Sequence, residues 1–526
     1  MIRVLVLLLC VCLAGNACGQ AAVGLAAGGL AAGVGGFDAE LLSKVQAEAI
    51  EFTVPRALET VSAAQLALWG LGGLTAIDPA LNVVVRDKRV LLLARGRAVI
   101  DVLAPVPGSS PSTSPGADPA AWAQVAASLT MAGFAVSPAM RQLGQPAVTK
   151  ILFDEMLAHL DPYSRYIPPL EAVGDRDRRA GHAGVGVTLV RRGANTVVRD
   201  VVIGSPGAQA GISPGDTIQW VDGHTALGRD PKTVETMLAG PEGTELRIGW
   251  RGRDGSSRGA TLTRVMIPPE TVFPRRSGDV LIVQITGFSQ TTDQHVAQVV
   301  FDNLRTGRPL KGIVLDLRGN RGGLLRVAVA AADIFLPAGV VVRSSGRAPE
   351  TNRIWLSDKT ELAKGVPMAV LVDGGTASAA EVLAAALADR GRAIVIGSST
   401  FGKGVVQTID PLPDGGELFL TWSRLLAPRG WPIQSLGVMP QICTSLGEDS
   451  LRRQLAALAL GRWDMLAAVS AHRAARAPVT PDQIVAIRGR CPAADPRESD
   501  VAVAQFLVEN AVSHAAALFE PMAEER

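Results

Sequence analysis

The sequence predicts a multidomain α+β protein, in which an α/β core follows a small β-rich module and helical regions lie at both ends. Its 526 residues are enough for three or more domains of roughly 150 residues each. Short apolar strands alternate with helical segments over residues 280–437, which favours a buried sheet covered by helices. Strands punctuated by glycine over 183–267 predict the β-rich module, whereas apolar residues at helical spacing dominate 37–165 and 447–526.

The first 19 residues have the pattern of a secretory signal peptide. Arg3 precedes a short apolar run, and small residues then follow, as they do at a cleavage site. The run is too short for a membrane span, which takes about 20 residues, and the alternative is a buried N-terminal helix. We therefore expect an exported chain in the periplasm or another extracytoplasmic compartment. Membrane association stays open, since Cys18 could carry a lipid, although Gly15-Asn16-Ala17 fits a lipoprotein cleavage signal poorly.

The region after the signal peptide is predicted to be a tether followed by a mostly helical domain. Residues 20–36 are almost wholly Ala, Gly, Val and Leu, a low-complexity composition. Residues 37–165 have helical spacing, with two strands expected at 82–85 and 90–93. The stretch 104–119 is rich in Pro, Ser and Gly, which predicts an exposed linker.

Two cysteines remain beyond the signal region, Cys443 and Cys491. In an oxidising compartment they could pair and tie the C-terminal region, 447–526, to the core. The alternative is two buried free thiols. The C-terminal region itself has a helical pattern and no residues that suggest chemistry.

The composition argues against nucleic-acid binding. The net charge is +2, and the 51 basic and 49 acidic residues alternate in sign rather than cluster. The sequence has no His-Glu-x-x-His zinc motif, so neither a metal nor another cofactor is predicted.

The β-rich module, residues 183–267, resembles a PDZ domain in its order of strands, turns and a short helix at 233–238. That resemblance implies that the loop Gly184-Val185-Gly186-Val187 binds a peptide's terminal carboxylate through the amides of Val185, Gly186 and Val187. The peptide would add as a strand beside the helix. The alternative is that these glycines serve only as turn residues.

A serine and a lysine carry the chemical hypothesis. Only eight of the 51 basic residues are lysines, and Lys403 lies between two glycines beside a predicted buried strand. A desolvated lysine can lose its proton near neutral pH, which arginine cannot do. Ser378, at a turn from strand to helix, would be the nucleophile that this base activates. The alternative for Ser378 is an ordinary helix N-cap.

A second turn from strand to helix contains Gly322 and Gly323. Either glycine amide could pair with the amide of Ala379 as an oxyanion hole, or the glycines could form only a tight turn. None of the six histidines lies between Asp316 and Gln441, and Ser378 is not in a Gly-x-Ser-x-Gly motif. A histidine from elsewhere in the chain is not excluded by the sequence. Glu381 and Asp316 are interpreted as structural carboxylates.

Five features resemble, in order and spacing, those of the carboxyl-terminal processing (tail-specific) serine proteases over about residues 150–442. Besides the PDZ-like module, they are Leu160-Asp161-Pro162-Tyr163-Ser164-x-Tyr166, Gly312-x-Val314-Leu315-Asp316-Leu317-Arg318-Gly319-Asn320-x-Gly322-Gly323-Leu324, Thr376-Ala377-Ser378-Ala379-Ala380-Glu381 and Thr400-Phe401-Gly402-Lys403-Gly404-x-x-Gln407.

The resemblance implies a crotonase/ClpP-like α/β core over 270–446 that cleaves with a Ser-Lys dyad through an acyl-enzyme. Ser378 would be the nucleophile, Lys403 the general base and Gln407 the residue that orients the lysine. Ala379 with Gly322 or Gly323 would supply the oxyanion amides. The expected partners are proteins or peptides with exposed C-termini, while self-association and an adaptor stay open. The rival hypothesis is a non-catalytic peptide-binding scaffold on the same fold.

Overall fold

The computed structural model describes residues 36–105, 118–180, 182–202, 204–358 and 361–519. The predicted signal peptide, the tether up to residue 35 and most of the predicted linker at 104–119 lie outside the described residues.

The N-terminal region consists of helices that pack on one another and of a three-stranded antiparallel sheet, in the order β1-β2-β3, that packs against two of them. Three of its helices begin after Asp38, Ser62 and Asp118, whose side chains accept hydrogen bonds from N–H groups of the first turn. Its elements are α1 (Ala39–Arg56), α2 (Ala63–Ile77), β1 (Leu81–Arg86), β2 (Arg89–Ala94), β3 (Arg97–Leu103), α3 (Pro119–Val136), α4 (Pro138–Leu143), α5 (Gln145–Ala158), β4 (Arg165–Ile167) and α6 (Pro169–Ala180).

The third strand of this sheet, β3, was not predicted. Most of its side chains are exposed, so its sequence lacks the alternation of apolar residues that marks a strand with one buried face.

The helix α3 is long and apolar enough to cross a membrane, but half of it is buried inside the protein, as in the core helix of a soluble domain.

The β-rich module contains a six-stranded sheet, in which five strands follow the order β11-β10-β8-β7-β6 and β9 pairs with β8. Strand β6 is therefore an edge strand, and α8 packs beside it. The elements are β5 (His182–Gly184), β6 (Val187–Arg192), β7 (Asn195–Val201), α7 (Pro206–Gln209), β8 (Thr217–Val221), β9 (His224–Thr225), α8 (Pro231–Leu238), β10 (Glu245–Arg251), β11 (Ser257–Thr263) and β12 (Val265–Ile267). The first and last strands, β5 and β12, pair with each other.

The core contains the predicted buried sheet, in the order β13-β14-β15-β18-β19-β22, and every neighbouring pair except β13–β14 is parallel. Its elements are β13 (Val272–Ser277), β14 (Val280–Ile285), α9 (Thr292–Arg305), β15 (Gly312–Asp316), α10 (Leu325–Asp333), β16 (Gly339–Ser345), a 3₁₀ turn (Pro349–Thr351), β17 (Arg353–Ser357), β18 (Met368–Val372), α11 (Ala379–Asp389), β19 (Ile394–Gly397), β20 (Val405–Pro411), β21 (Glu417–Leu426) and β22 (Ile442–Cys443).

A second sheet, β17-β16-β21-β20, was not expected from the sequence, and it includes β4 of the N-terminal region beside β21.

The parallel sheet of the core positions the candidate site. Its neighbouring strands β15, β18 and β19 end before the two glycines, Ser378 and Lys403 respectively. Because parallel strands end at one edge of a sheet, these three segments meet there.

The C-terminal region consists of α12 (Glu448–Ala459), α13 (Leu466–Ala474), α14 (Pro481–Arg488), α15 (Ser499–Glu509) and α16 (Ala511–Ala517). Apolar residues of α12 and α15, such as Leu458 and Leu507, pack with Val314 and Leu371 of the parallel sheet. A parallel sheet needs cover on both faces, and these helices supply it on one of them.

Cys443 and Cys491 form a disulfide, so they pair as expected for an oxidising compartment and are not two buried free thiols. The predicted multidomain α+β class is confirmed.

Candidate active site

Ser378 lies between β18 and α11 in a strained backbone conformation, with φ of +58° and ψ of −121°. Such a conformation costs a residue with a side chain about 1–3 kcal/mol, so the surroundings must hold it. The turn before it does so, because Asp373 Oδ1 accepts hydrogen bonds from the N–H groups of Gly375 and Thr376, both at 2.9 Å. Thr376 Oγ1 in turn donates to the carbonyl of Leu317 at 2.9 Å. The turn is thereby fixed to the end of the neighbouring strand β15.

Ser378, Lys403 and Gln407 line one cleft of about 610 Å³. Lys403 Nζ donates to Gln407 Oε1 at 3.2 Å, and Gln407 Nε2 donates to the carbonyl of Tyr163 at 2.7 Å. The amide of Gln407 is therefore fixed from its other end, with its oxygen facing the lysine. This geometry suits the orienting role expected for Gln407.

The surroundings of Lys403 favour its neutral form. Partial burial lowers the pKa of Lys403 below its ordinary value, and the Arg165 guanidinium lowers it further, while Asp161 acts in the opposite direction. The amine also lies 5.1 Å from the centre of the Tyr163 ring, a contact that, like Asp161, favours the charged form. A lysine with a depressed pKa can accept a proton from a hydroxyl near neutral pH.

Glu381 joins the backbone at Ser378 to the backbone at Lys403. This fully buried carboxylate accepts hydrogen bonds from the N–H groups of Ser378 (2.7 Å), Gly402 (2.7 Å) and Lys403 (2.9 Å) and from the hydroxyl of Thr400. Burial raises the pKa of Glu381, and these four hydrogen bonds oppose that rise. The sequence indicates only a structural role for Glu381, and it does not predict the contacts of this carboxylate with the loops that carry Ser378 and Lys403.

The two glycines differ in what their amides do. The N–H of Gly322 donates to Asn320 Oδ1 at 2.8 Å, so it is already used. Among the described residues, neither the N–H of Gly323 nor that of Ala379 has a backbone acceptor. A Cβ at Gly322 would lie 2.8 Å from the Cβ of Ser378, and one at Gly323 would lie 2.4 Å from the carbonyl oxygen of Phe288. Both positions therefore need glycine, and the amides of Gly323 and Ala379 suit an oxyanion better than that of Gly322.

The segment after α5 closes one side of the site. Asp161 Oδ1 accepts from the N–H groups of Tyr163 (2.8 Å) and Ser164 (3.0 Å) and from the hydroxyl of Thr421 (2.8 Å). This arrangement presents the carbonyl of Tyr163 to Gln407 and places Arg165 in the lining of the cleft. Tyr163 and Arg165 were not predicted as site residues, although the motif that contains them was part of the resemblance.

The described residues do not support a metal site or a histidine base here. No group of three or more His, Cys, Asp or Glu residues suitable for a metal occurs in the described part of the chain. None of the described residues that line the cleft is a histidine. Of the charged residues that line it, Arg165, Arg321 and Lys403, only the lysine can lose its proton near neutral pH.

The loop at 184–187 of the β-rich module has its carbonyls engaged. Those of Val185 and Gly186 accept hydrogen bonds at 2.8 Å from the N–H groups of Gly207 and Val202. Within the described ranges, the N–H groups of Val185 and Gly186 have no backbone acceptor. Gly186 has φ of +76°, and a Cβ there would lie 2.2 Å from Ser205 Cβ. The loop, β6 and α8 are adjacent, as the sequence predicted.

The edge of β6 is partly covered by α8. The N–H of Leu189 donates to Glu235 Oε1 at 3.3 Å. A peptide that adds to β6 as a strand must replace this carboxylate as the acceptor for Leu189.

Comparison with known proteins assigns the core to a protease family and the β-rich module to the PDZ domains. A family model for peptidase family S41 matches residues 279–444, and a PDZ-domain model matches residues 197–252. A carboxy-terminal-processing protease of Bartonella bacilliformis is 35% identical, over 56% of this chain and 72% of that protein. The carboxy-terminal processing protease CtpA of Bacillus subtilis is 32% identical, over 54% of this chain and 61% of that protein, less than two thirds of its length. A solved photosystem II D1 C-terminal processing protease is 26% identical with a TM-score of 0.37, over 75% of this chain and 98% of that chain.

Proposed function

The chain belongs to the carboxy-terminal processing serine proteases of peptidase family S41, and we propose that it is an exported endopeptidase with a Ser378–Lys403 dyad. The observation that carries this proposal is a single cleft that contains both residues, with the buried Glu381 bound to the backbone of each. Export is supported by the disulfide between Cys443 and Cys491, since such bonds persist in oxidising compartments.

Neutral Lys403 acts first as the base. It removes the proton from Ser378 Oγ while that oxygen attacks the carbonyl carbon of the scissile peptide bond. The resulting oxyanion accepts hydrogen bonds from the amides of Gly323 and Ala379. Lys403 then returns the proton to the leaving amine as the carbon–nitrogen bond breaks, which leaves an ester on Ser378.

Water hydrolyses this ester in the second half of the reaction. Lys403 again accepts a proton, now from the attacking water, and afterwards returns it to Ser378 Oγ as the ester bond breaks. Gln407 keeps the amine of Lys403 directed into the cleft through both steps, because Tyr163 fixes its amide.

We propose that the β-rich module, a PDZ domain by its family model, binds the C-terminus of a protein or peptide substrate. The N–H groups of Val185 and Gly186, which have no backbone acceptor among the residues that the structure describes, suit a carboxylate, and the edge strand β6 suits an added strand. Replacing a substrate's terminal carboxylate by an amide removes the charge that these amides would bind. We expect this change to raise KM about tenfold or more, at a salt concentration held constant. An equal KM for the acid and the amide would contradict this binding mode.

The dyad is tested with an unfolded reporter protein that ends in an apolar sequence. The wild-type chain should degrade it, and Ser378→Ala and Lys403→Ala should each lose activity by about a thousandfold or more. Ser289→Ala, which also changes the lining of the cleft, and Lys311→Ala, at an exposed lysine, are the matched controls. Both controls should retain activity, and circular dichroism should report the same fold for all variants.

Two results would contradict the proposal in different ways. An active Lys403→Ala protein would reject the dyad and direct the search to another base. A wild-type protein that binds C-terminal peptides but degrades nothing would favour the rival hypothesis of a non-catalytic scaffold.

A further inference from the structure

We infer that Arg488, in the C-terminal region, is a positioning residue for the loop that carries Lys403. The inference rests on the proposed role of Lys403 as the general base. Arg488 is the last residue of α14, and it lies in the part of the chain for which the sequence suggested no chemistry. It does not line the cleft, so any effect on proteolysis must act through other residues.

The guanidinium of Arg488 joins two backbone segments. Its Nη2 donates to the carbonyl of Thr400 at 2.9 Å, and its Nη1 donates to the carbonyls of Leu436 at 2.8 Å and Ser435 at 3.4 Å. A planar guanidinium can hold several acceptors in a fixed geometry, which the flexible amine of lysine does less well.

The second segment, which contains Gln434 and Ser435, fixes the backbone on both sides of Lys403. The carbonyl of Gly402 accepts from the N–H of Ser435 at 2.9 Å, and the N–H of Gly404 donates to Gln434 Oε1 at 3.0 Å. Thr400 also donates its hydroxyl to Glu381, the carboxylate that contacts the loop of Ser378. Loss of Arg488 therefore removes one of the anchors of the backbone from Thr400 to Gly404, beside those that Glu381 and Gln434 supply, without removing any group that touches substrate.

The neighbours of Arg488 hold it against the core. Cys491, three residues later, forms the disulfide with Cys443. Ala494 accepts from the N–H of Gly374, in the turn before Ser378, at 2.9 Å and from the hydroxyl of Ser398 at 3.0 Å. The same C-terminal segment thus contacts the backbone next to both members of the dyad.

Covering the sheet does not by itself explain an arginine at this position. Burial lowers the pKa of Arg488, and the Glu381 carboxylate opposes this shift, so its charge is partly desolvated. A partly buried charge is unfavourable unless hydrogen bonds and an opposite charge compensate for it. Here the hydrogen-bond acceptors are the carbonyls of Thr400, Ser435 and Leu436. The opposite charge is the carboxylate of Glu381, which binds the loops of Ser378 and Lys403.

The test compares Arg488→Met with Arg490→Met in the full chain. Arg490 is exposed and only two residues away, so its replacement is a matched control. We expect kcat of Arg488→Met on the unfolded reporter to fall about 10- to 100-fold, with KM changed less than about twofold. Arg488→Lys, which keeps the charge, should give an intermediate kcat. Arg490→Met should match the wild type.

Hydrogen exchange supplies a readout that does not depend on activity. We expect the amides of residues 399–404 to exchange at least about tenfold faster in Arg488→Met than in Arg490→Met. The exchange rates of α9, which is distant from Arg488 in the sequence, should be the same in both variants. Faster exchange in a protein whose wild type proves inactive would support the positioning role and reject the proposed function. Unchanged exchange, an unchanged kcat, or a loss confined to KM would each overturn the inference.

Discussion

The N-terminal and C-terminal regions both reach the candidate dyad, but they contact different parts of it. The N-terminal segment contacts side chains, since Tyr163 accepts from Gln407 and Arg165 lowers the pKa of Lys403. The C-terminal segment contacts backbone, through Arg488 at Thr400 and Ala494 at Gly374. The first set of contacts therefore adds to the effect of burial on the proton affinity of Lys403 and directs its amine, whereas the second holds the backbone of the two loops. Changes in the two regions should then have different kinetic signatures.

The largest effect is expected from the covalent link of the C-terminal region. Cys443 and Cys491 are 48 residues apart, and opening such a loop can lower the free energy of unfolding by up to about 4 kcal/mol. The Cys443→Ala/Cys491→Ala protein tests this by denaturant unfolding.

The N-terminal region supplies the control for this measurement. Glu59 contacts Arg424 of the core through an ion pair in which the glutamate is 78% exposed. Glu59→Gln should change stability by less than about 1 kcal/mol. Equal losses for the two changes would show that the C-terminal link is not the stronger one.

The next effect is expected at Glu381, where the contacts of the two loops converge. Glu381→Gln leaves one acceptor oxygen and turns an NH₂ group toward groups that are themselves donors. We expect kcat to fall about 100-fold, because both loops lose their fixed relation. Glu361→Gln, which removes a partly buried ion pair with Arg392, is the control for a purely structural loss. Its kcat should stay near the wild-type value even if its melting temperature falls.

The smallest effect is a shift in pH dependence caused by the N-terminal segment. The base must be neutral, so activity rises as pH increases through the pKa of Lys403. Arg165 lowers that pKa, and Arg165→Gln should therefore move the acidic limb of log kcat/KM to higher pH by about 0.5 pH unit. Arg488→Lys keeps its charge and should lower kcat without moving the limb. A shift in the Arg488→Lys profile and none in the Arg165→Gln profile would reverse the assignment of the two regions.

Local patterns in the sequence were sufficient for the parts of the fold that are buried and regular. The strands of the parallel sheet are short apolar runs, which place Ser378 at the turn from one strand into a helix and Lys403 beside another. The exposed strand β3 has no such pattern and was missed. The contact between Gln407 and Tyr163 joins residues 244 positions apart, and that between Arg488 and Thr400 spans 88. No local periodicity encodes contacts of that separation.

The choice between Gly322 and Gly323 shows a second limit of the sequence. Both glycines have positive φ angles and no room for a side chain, so residue type cannot distinguish them. Only the hydrogen bond from Gly322 to Asn320 does so, because it occupies one of the two amides.

The pairing of β5 with β12 has a consequence for how this chain can be re-engineered. Gly184 faces Val265 across that ladder, so the two ends of the β-rich module leave the core about 5 Å apart. A tight hairpin turn can bridge that gap, which would excise the whole module while the strands of the core keep their register. The same junction would accept a foreign domain whose termini are adjacent. Under the proposed function, such an exchange would change the domain that binds the substrate and leave the core that cleaves it in place.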